Sequence, residues 1–184
     1  MEKVIPIRML KVFVVFNLIN MSFFVMGTYA NHDKSMFNQS FFEIGYKEVH
    51  QALQESENFY KQEIALPIQL PPIAFTHSFG RFNNYDGEVN DELEIQYLNK
   101  DSVINHYKIN VKPIKYKIEF KDEQIDQTLR LKDGTEAIFS TWMTGSHLLI
   151  FEMNEWQYIL SIDKRISDRV TQEVFVEIAN SIQS

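Results

Sequence analysis

The sequence contains no cysteine among its 184 residues, and only six glycines and five prolines. Without cysteine there are no disulfide bonds to stabilise the fold, and redox or thiolate chemistry is excluded. The few glycines form no phosphate-binding loop, which needs glycines at fixed spacing. The Gly-x-Ser-x-Gly turn of serine hydrolases is also absent. The fold must therefore be stabilised by its core alone.

Positive charge is also scarce, because 18 lysines and arginines stand against 25 aspartates and glutamates, a net charge of −7. Residues 1–30 hold three of the bases and one of the acids, so the remainder carries 15 − 24 = −9. Nucleic acids and anionic lipids are bound through positively charged surfaces. The balance of charge therefore excludes nucleic acid as a partner.

A hydrophobic run occurs only near the N-terminus, where residues 12–27 follow Lys3, Arg8 and Lys11 and precede Thr28-Tyr29-Ala30. This order of basic, apolar and small residues predicts a signal peptide over residues 1–30, with an uncleaved N-terminal membrane anchor as the alternative. We expect a secreted or extracytoplasmic protein of the cell envelope. Its contact with a membrane is limited to residues 1–30, if they stay attached.

The remaining chain predicts a flexible N-terminus over residues 31–40 and one α+β domain over residues 41–184. A 3.6-residue period predicts a helix over Phe41–Tyr60, and a second from Ser167 or Thr171 to Ile182. Prolines between Leu66 and Pro72 predict an extended linker. The fold class is an antiparallel sheet of about six to eight strands with an N-terminal and a C-terminal helix packed on it. Alternating apolar residues predict strands at Ile73–Phe79, Leu93–Tyr97, Val103–Val111, Ile114–Phe120, Thr128–Leu131, Ala137–Met143, Leu148–Met153 and Trp156–Ile162.

Aromatic residues are abundant, with 15 Phe, 8 Tyr and 2 Trp, many of them on the predicted strands. They predict either a core of aromatic cross-strand pairs or an apolar groove under the sheet. The candidate groove residues are Phe75, Phe79, Tyr97, Tyr107 and Tyr116.

No motif amounts to an active site, a cofactor site or a metal centre. The five histidines stand alone, without the His-x-x-x-His spacing that places two ligands on one helical face. Asp86, Glu88 and Asn90 resemble the opening of a calcium loop, but the glycine and the final glutamate of that loop are missing. They are a weak calcium candidate, and a solvated hairpin loop is the alternative.

Four segments carry a resemblance to a known family, namely Leu131–Ala137, Leu148–Phe151, Trp156–Ser161 and Val176–Ile182. They resemble the end of a domain of unknown function found in exported proteins of Gram-positive, spore-forming bacteria. That domain also occurs at the extracytoplasmic ends of anti-sigma and sporulation proteins. The resemblance covers the last third of the chain, implies a non-catalytic envelope domain and supplies no catalytic residues.

These observations predict a non-catalytic interaction or accessory domain of the cell envelope, without a cofactor, whose partner is a protein or another envelope component. The first alternative is a carrier of small apolar ligands, with a pocket between the sheet and the helices. A hydrolase is the second, and it requires polar residues that converge in one cleft.

Overall fold

The computed structural model describes residues 36–84 and 91–183, and the chain divides into two compact units, Met1–Ile44 and Gly45–Ser184. In the first unit, described residues 36–43 are helical (α1) and include part of the segment expected to be flexible. Among its described residues, the second unit contains α2 (Val49–Tyr60), α3 (Gln172–Ala179) and seven strands. None of the described helices is long and apolar enough to cross a membrane. The strands are β1 (His77–Asn83), β2 (Glu92–Asn99), β3 (Ser102–Pro113), β4 (Gln127–Arg130), β5 (Glu136–Ser140), β6 (Ser146–Met153) and β7 (Trp156–Asp163).

The seven strands form one antiparallel sheet in the order β1-β2-β3-β7-β6-β5-β4. The predicted class, α+β with an antiparallel sheet and a helix from each end of the domain, is confirmed. Because β7, β6 and β5 lie between β3 and the edge strand β4, residues 114–126 must cross the sheet to join β3 to β4. This crossover segment contains short 3-10 helices at Ile114–Tyr116 and Asp122–Gln124.

Both helices of the second unit pack on the same face of the sheet, here called the helical face. Ala52 of α2 and Phe175 of α3 belong to one core with Ile95, Tyr107 and Leu160 of the sheet. Gly80 lets α2 approach β1 closely, since a Cβ atom there would lie 2.7 Å from the Cβ of Ala52. The opposite face of the sheet is called the outer face.

The predicted helix over Phe41–Tyr60 is wrong in one respect, because α1 ends at residue 43 and α2 begins at Val49. Gly45 has a φ of +92°, which glycine adopts readily and which ends a helix. Lys47 then exchanges two backbone hydrogen bonds with Gly80, of 2.8 and 2.9 Å. The chain is thus extended where the apolar period predicted a continuous helix.

Two of the predicted strands also differ. The strand predicted from Ile73 begins at His77, because Pro71 and Pro72 lie just before it and residues 71–76 are irregular. The strand predicted over Ile114–Phe120 is part of the crossover segment instead. Pro113 ends β3, since its nitrogen has no hydrogen to donate, and the chain then turns out of the sheet.

The hairpin between β6 and β7 and the closing helix lie close to where the sequence predicts them. Asn154 and Glu155 form the two-residue turn with φ values of 49° and 69°, as the twist of a two-residue hairpin requires. The closing helix is shorter than predicted at its end, spanning Gln172–Ala179 with Thr171 as its N-cap residue.

Candidate functional site

The outer face of the sheet divides into a polar half and an apolar half. On β1–β3 it carries Arg81, Glu94, Gln96 and Lys108, which face one another in the register of the strands. On β5–β7 it carries an apolar cluster, whose buried members are Leu148, Ile150 and Ile159 and whose partly buried members are Phe120 and Ile138. Because Phe120 comes from the crossover segment, this segment covers the apolar half.

One glutamine side chain holds the crossover segment against the sheet. The Oε1 atom of Gln157 accepts a hydrogen bond of 2.8 Å from the backbone N–H of Ile118. Its Nε2 atom donates one of 2.9 Å to the backbone carbonyl of the same residue. Gln157 lies on β7 and is buried. Its side-chain amide satisfies both backbone groups of Ile118, as the backbone of a neighbouring strand would. The position of the segment is therefore fixed by specific hydrogen bonds as well as by apolar packing.

A groove of about 510 Å³ opens between the crossover segment and the strands at the β4 end of the sheet. Ile138 and Ile150 of the sheet, together with Ile118, Phe120 and Ile125 of the crossover segment, are its apolar lining. Thr128 of β4 also lines it, so the groove lies beside the edge strand. Its volume is within the range of sites that hold a small ligand or a few side chains.

Charged side chains surround the groove and are paired with one another. The ammonium of Lys117 lies 2.9 Å from Glu152 and 3.4 Å from Glu119, and the hydrogen bond to Glu152 raises the pKa of Lys117. The guanidinium of Arg130 lies 3.1 Å from Glu136. Residues 117–136 contain six acids and four bases, so this region is acidic like the whole chain.

A hairpin tip between β5 and β6 exposes two large apolar side chains at one end of β4. Trp142 is 61% exposed and Met143 is 50% exposed. The backbone N–H of Thr141 donates to the carboxylate of Asp126, at 2.5 Å, and Asp126 immediately precedes β4. The backbone N–H of Trp142 donates to the Ser140 hydroxyl, at 3.3 Å. The tip is thus held next to the start of the edge strand.

The groove and the hairpin tip both adjoin β4, and we call these features together the β4 edge surface. It consists of the edge strand Gln127–Arg130, the groove beside it and the hairpin tip with Trp142 and Met143. Ile118, at 46% exposure, extends its apolar part onto the crossover segment. Exposed tryptophan and methionine are characteristic of binding surfaces, because they supply a large contact area.

The polar half of the outer face is built around the carboxylate of Glu94, of which 4% of the residue surface is exposed. The Tyr46 hydroxyl and the Gln96 amide donate to it, Arg81 lies 3.2 Å away and Lys108 3.7 Å away. Burial alone would raise the pKa of Glu94, but these donors and cations outweigh it and lower the pKa. A carboxylate so completely satisfied within the chain anchors Tyr46 to the sheet.

His106 adjoins this cluster, with its Nε2 atom 3.1 Å from the Oε1 atom of Gln96. Burial and the nearby Lys108 lower the pKa of His106, so the ring is neutral at pH 7. The cluster therefore holds hydrogen-bonded polar groups in a fixed arrangement.

A second groove, of about 580 Å³, lies on the helical side between α2, residues 62–65 and β7. Its walls include Trp156 and Tyr158, each 1% exposed. The Trp156 indole donates to the carbonyl of Glu63, at 3.0 Å, and the Tyr158 hydroxyl donates to the carbonyl of Ala65, at 2.9 Å. These two side chains hold residues 63–65 on the sheet, and because their rings are almost fully buried they are not available to a ligand in this arrangement.

The predicted groove residues lie in three places. Phe75, Tyr97 and Tyr107 belong to the core on the helical face, with ring centroids 5.7 Å apart for the first pair and 5.8 Å for the second. Phe79 pairs with Gln96 and so lies on the outer face. Tyr116 lies in the first 3-10 helix of the crossover segment, beneath the ammonium of Lys115. The five aromatics do not line one groove.

The calcium candidates Asp86, Glu88 and Asn90 lie outside the described residues. In the described ranges, no group of three or more histidines, aspartates or glutamates is placed to hold a metal ion. His77 stacks on Phe79 and its Nδ1 atom lies 2.7 Å from the Thr76 hydroxyl oxygen.

Comparison with known proteins adds no identification, because no protein-family model, no curated protein and no solved structure matches the chain. The resemblance to an exported domain of Gram-positive bacteria therefore stays a prediction.

The residues of the β4 edge surface were not among the predicted site residues. Trp142 and Met143 stand at the end of the predicted strand Ala137–Met143, whereas β5 ends at Ser140. The available signal was their position directly before the turn Thr144-Gly145, where large apolar residues have no strand neighbour to cover them.

Proposed function

We propose that this chain is a non-catalytic interaction domain of the cell envelope that binds a protein partner through the β4 edge surface. The observation that carries this proposal is the exposure of Trp142 and Met143 on a tip whose backbone is fixed by hydrogen bonds. A fixed tip loses little conformational entropy on binding, which favours association. Tryptophan is also among the residues that dominate binding energy at protein interfaces.

Export supports the envelope part of the proposal and rests on the basic, apolar and small-residue order of residues 1–30. Its test is the intact mass of the protein isolated from the cells that make it. A chain that begins at Asn31 is the expected result. A chain that keeps residues 1–30 and stays in the cytosolic fraction would contradict export.

Site-specific photo-crosslinking tests the binding surface in those same cells. A photoreactive phenylalanine replaces Trp142 in one variant and Val103 in the control, because Val103 is also an exposed apolar residue, at 80%, but lies at the start of β3. We expect one crosslinked partner protein from position 142 and none of the same mass from position 103. The crosslink should disappear when Met143→Glu is added.

Two results would contradict the proposal. Identical crosslinks from both positions would show that the β4 edge surface is not the contact. A membrane is the other possible contact for an exposed tryptophan, because such side chains favour the bilayer interface. A blue shift of Trp142 fluorescence with phospholipid vesicles, measured in a Trp156→Phe background, would therefore indicate that the surface binds a lipid membrane and not a protein.

A further inference from the structure

Resting on the proposed interaction function, we propose that the β4 edge surface binds an extended, basic and apolar segment of the partner, which pairs with β4 as an eighth strand. Such strand addition combines backbone hydrogen bonds to a sheet edge with pockets for alternate side chains. The β4 edge surface offers both elements side by side.

The backbone of β4 is available on one side only. The N–H of Leu131 donates to the carbonyl of Thr135, at 2.9 Å, so Leu131 faces β5. Because the direction alternates along an antiparallel strand, Leu129 also faces β5, and Thr128 and Arg130 direct their N–H and C=O groups away from the sheet. Both residues are exposed. The side chain of Arg130 bends back to the carbonyl of Gly134, at 2.9 Å, and does not pair its own backbone.

The groove lies where alternate side chains of an added strand would reach it. Thr128 is opposite Ile138 in the register and shares its face, the outer face, with the groove. A strand added about 4.8 Å beyond β4 would direct every second side chain to this face. Ile118, Phe120 and Ile125 then provide the apolar wall against which those side chains pack.

Charge selects the kind of segment. Glu119, Glu136 and Glu152 line the groove, and Lys117, which also lines it, and Arg130 of β4 are already paired with them. With the net charge of −7, this favours the approach of a cationic strand over an anionic one. Apolar residues alternating with lysine or arginine therefore combine side chains that fill the groove with a net charge opposite to that of the chain.

The hairpin tip gives the strand a defined end. Thr141 lies beside the start of β4, because its N–H donates to Asp126, and Trp142 follows it directly. An apolar side chain at the corresponding end of the added strand would contact Trp142. Short edge strands with charged side chains can also serve to prevent pairing, and the experiment separates the two roles.

The test uses an acetylated peptide of about eight residues that alternates lysine with valine, added to the full mature chain. Amide exchange measured by NMR is the readout. We expect the amides of Thr128 and Arg130 to exchange about tenfold more slowly with saturating peptide. A peptide that alternates glutamate with valine is the charge control and should give no protection. A lysine–valine peptide methylated on alternate backbone nitrogens should bind about tenfold more weakly, since it loses hydrogen bonds.

A matched pair of variants tests whether the peptide binds at β4. Thr128→Pro removes one outward N–H of β4 at an edge position where proline is tolerated, and should abolish binding of the lysine–valine peptide. Val103→Pro makes the same change at the start of β3 and should leave it unaltered. Equal binding of the methylated peptide, or unchanged exchange at Thr128 and Arg130, would overturn strand addition. If the crosslink from position 142 persists in that case, the interaction function stands and only the mode of binding is wrong.

Discussion

The hydrogen bonds between Gln157 and Ile118 make a quantitative prediction about the crossover segment. Gln157→Met keeps the length and packing of the side chain but removes both hydrogen bonds, of 2.8 and 2.9 Å. Each contributes about 1 kcal/mol net, so we expect the free energy of unfolding to fall by about 2 kcal/mol. For a chain of this size that corresponds to a Tm lower by about 4–8 °C.

Urea unfolding measures the loss, and Gln127→Met is its control. Gln127 is an exposed residue of β4, where the same replacement should change stability by less than about 0.5 kcal/mol. Hydrogen exchange gives the local readout. The Ile118 amide should exchange at least about tenfold faster in Gln157→Met, whereas the amide of Leu160 in the centre of the sheet should change only with global stability.

Replacing Gln157 by glutamate tests separately the hydrogen bond that its amide donates to the Ile118 carbonyl. Gln157→Glu retains an acceptor for the N–H of Ile118, but an ionised carboxylate has no hydrogen for the carbonyl. Protonation restores that donor, so the folded state would raise the pKa of the new carboxyl group. The variant's deficit should therefore be largest at neutral pH and shrink as the pH falls. Two results together would show that Gln157 does not hold the crossover segment. They are a loss of stability in Gln157→Glu that is independent of pH, and an Ile118 amide that stays protected from exchange in Gln157→Met.

Three further changes have expected outcomes that stability measurements check. Gly80→Ala should cost about 1–3 kcal/mol by collision with Ala52, and the double variant with Ala52→Gly should recover part of that loss; an additive result would contradict the close approach. Glu94→Gln should lower stability by about 1–3 kcal/mol at neutral pH. Because the folded state lowers the pKa of Glu94, its stabilisation is present above the ordinary value of 4.5 and is lost as the pH falls below it, so wild type and variant should converge in acid. Glu155→Gly should raise stability by about 0.5–1 kcal/mol, because φ is 69° there, and a lower Tm would contradict the turn geometry.

The overall architecture follows from the sequence because its signals are local. Alternation of apolar residues, short turns and a closing amphipathic stripe each depend on a few neighbouring residues, and they predict seven of the eight strand positions to within a few residues. Ile114–Phe120 is the exception. Its alternation reflects packing of one side of an irregular segment on the outer face, and a period of two does not distinguish that from a strand.

The candidate site could not be predicted from the sequence, because it depends on the order of the strands in the sheet. Thr128 belongs to an edge only because β7 inserts between β3 and β6, and nothing in the local pattern fixes that insertion. The faces of Phe75 and Phe79 depend likewise on where β1 begins, since a shift in the start of a strand changes which side chains share a face. The one local signal was Gln157, because a polar residue within an apolar strand indicates that something covers the outer face of β7 and bonds to it.

The two halves of the outer face offer a partner different contacts. In the polar half, the donors around Glu94 are used within the chain, so a partner gains little there. At the β4 edge surface, covering Trp142, Met143 and Ile118 would remove on the order of 300 Å² of apolar surface, worth about 7 kcal/mol. Association costs about 4–15 kcal/mol, so apolar contact alone gives weak binding at best. Backbone pairing with Thr128 and Arg130 is the additional source of affinity that this surface offers, which is why the edge strand and the tip are expected to act together.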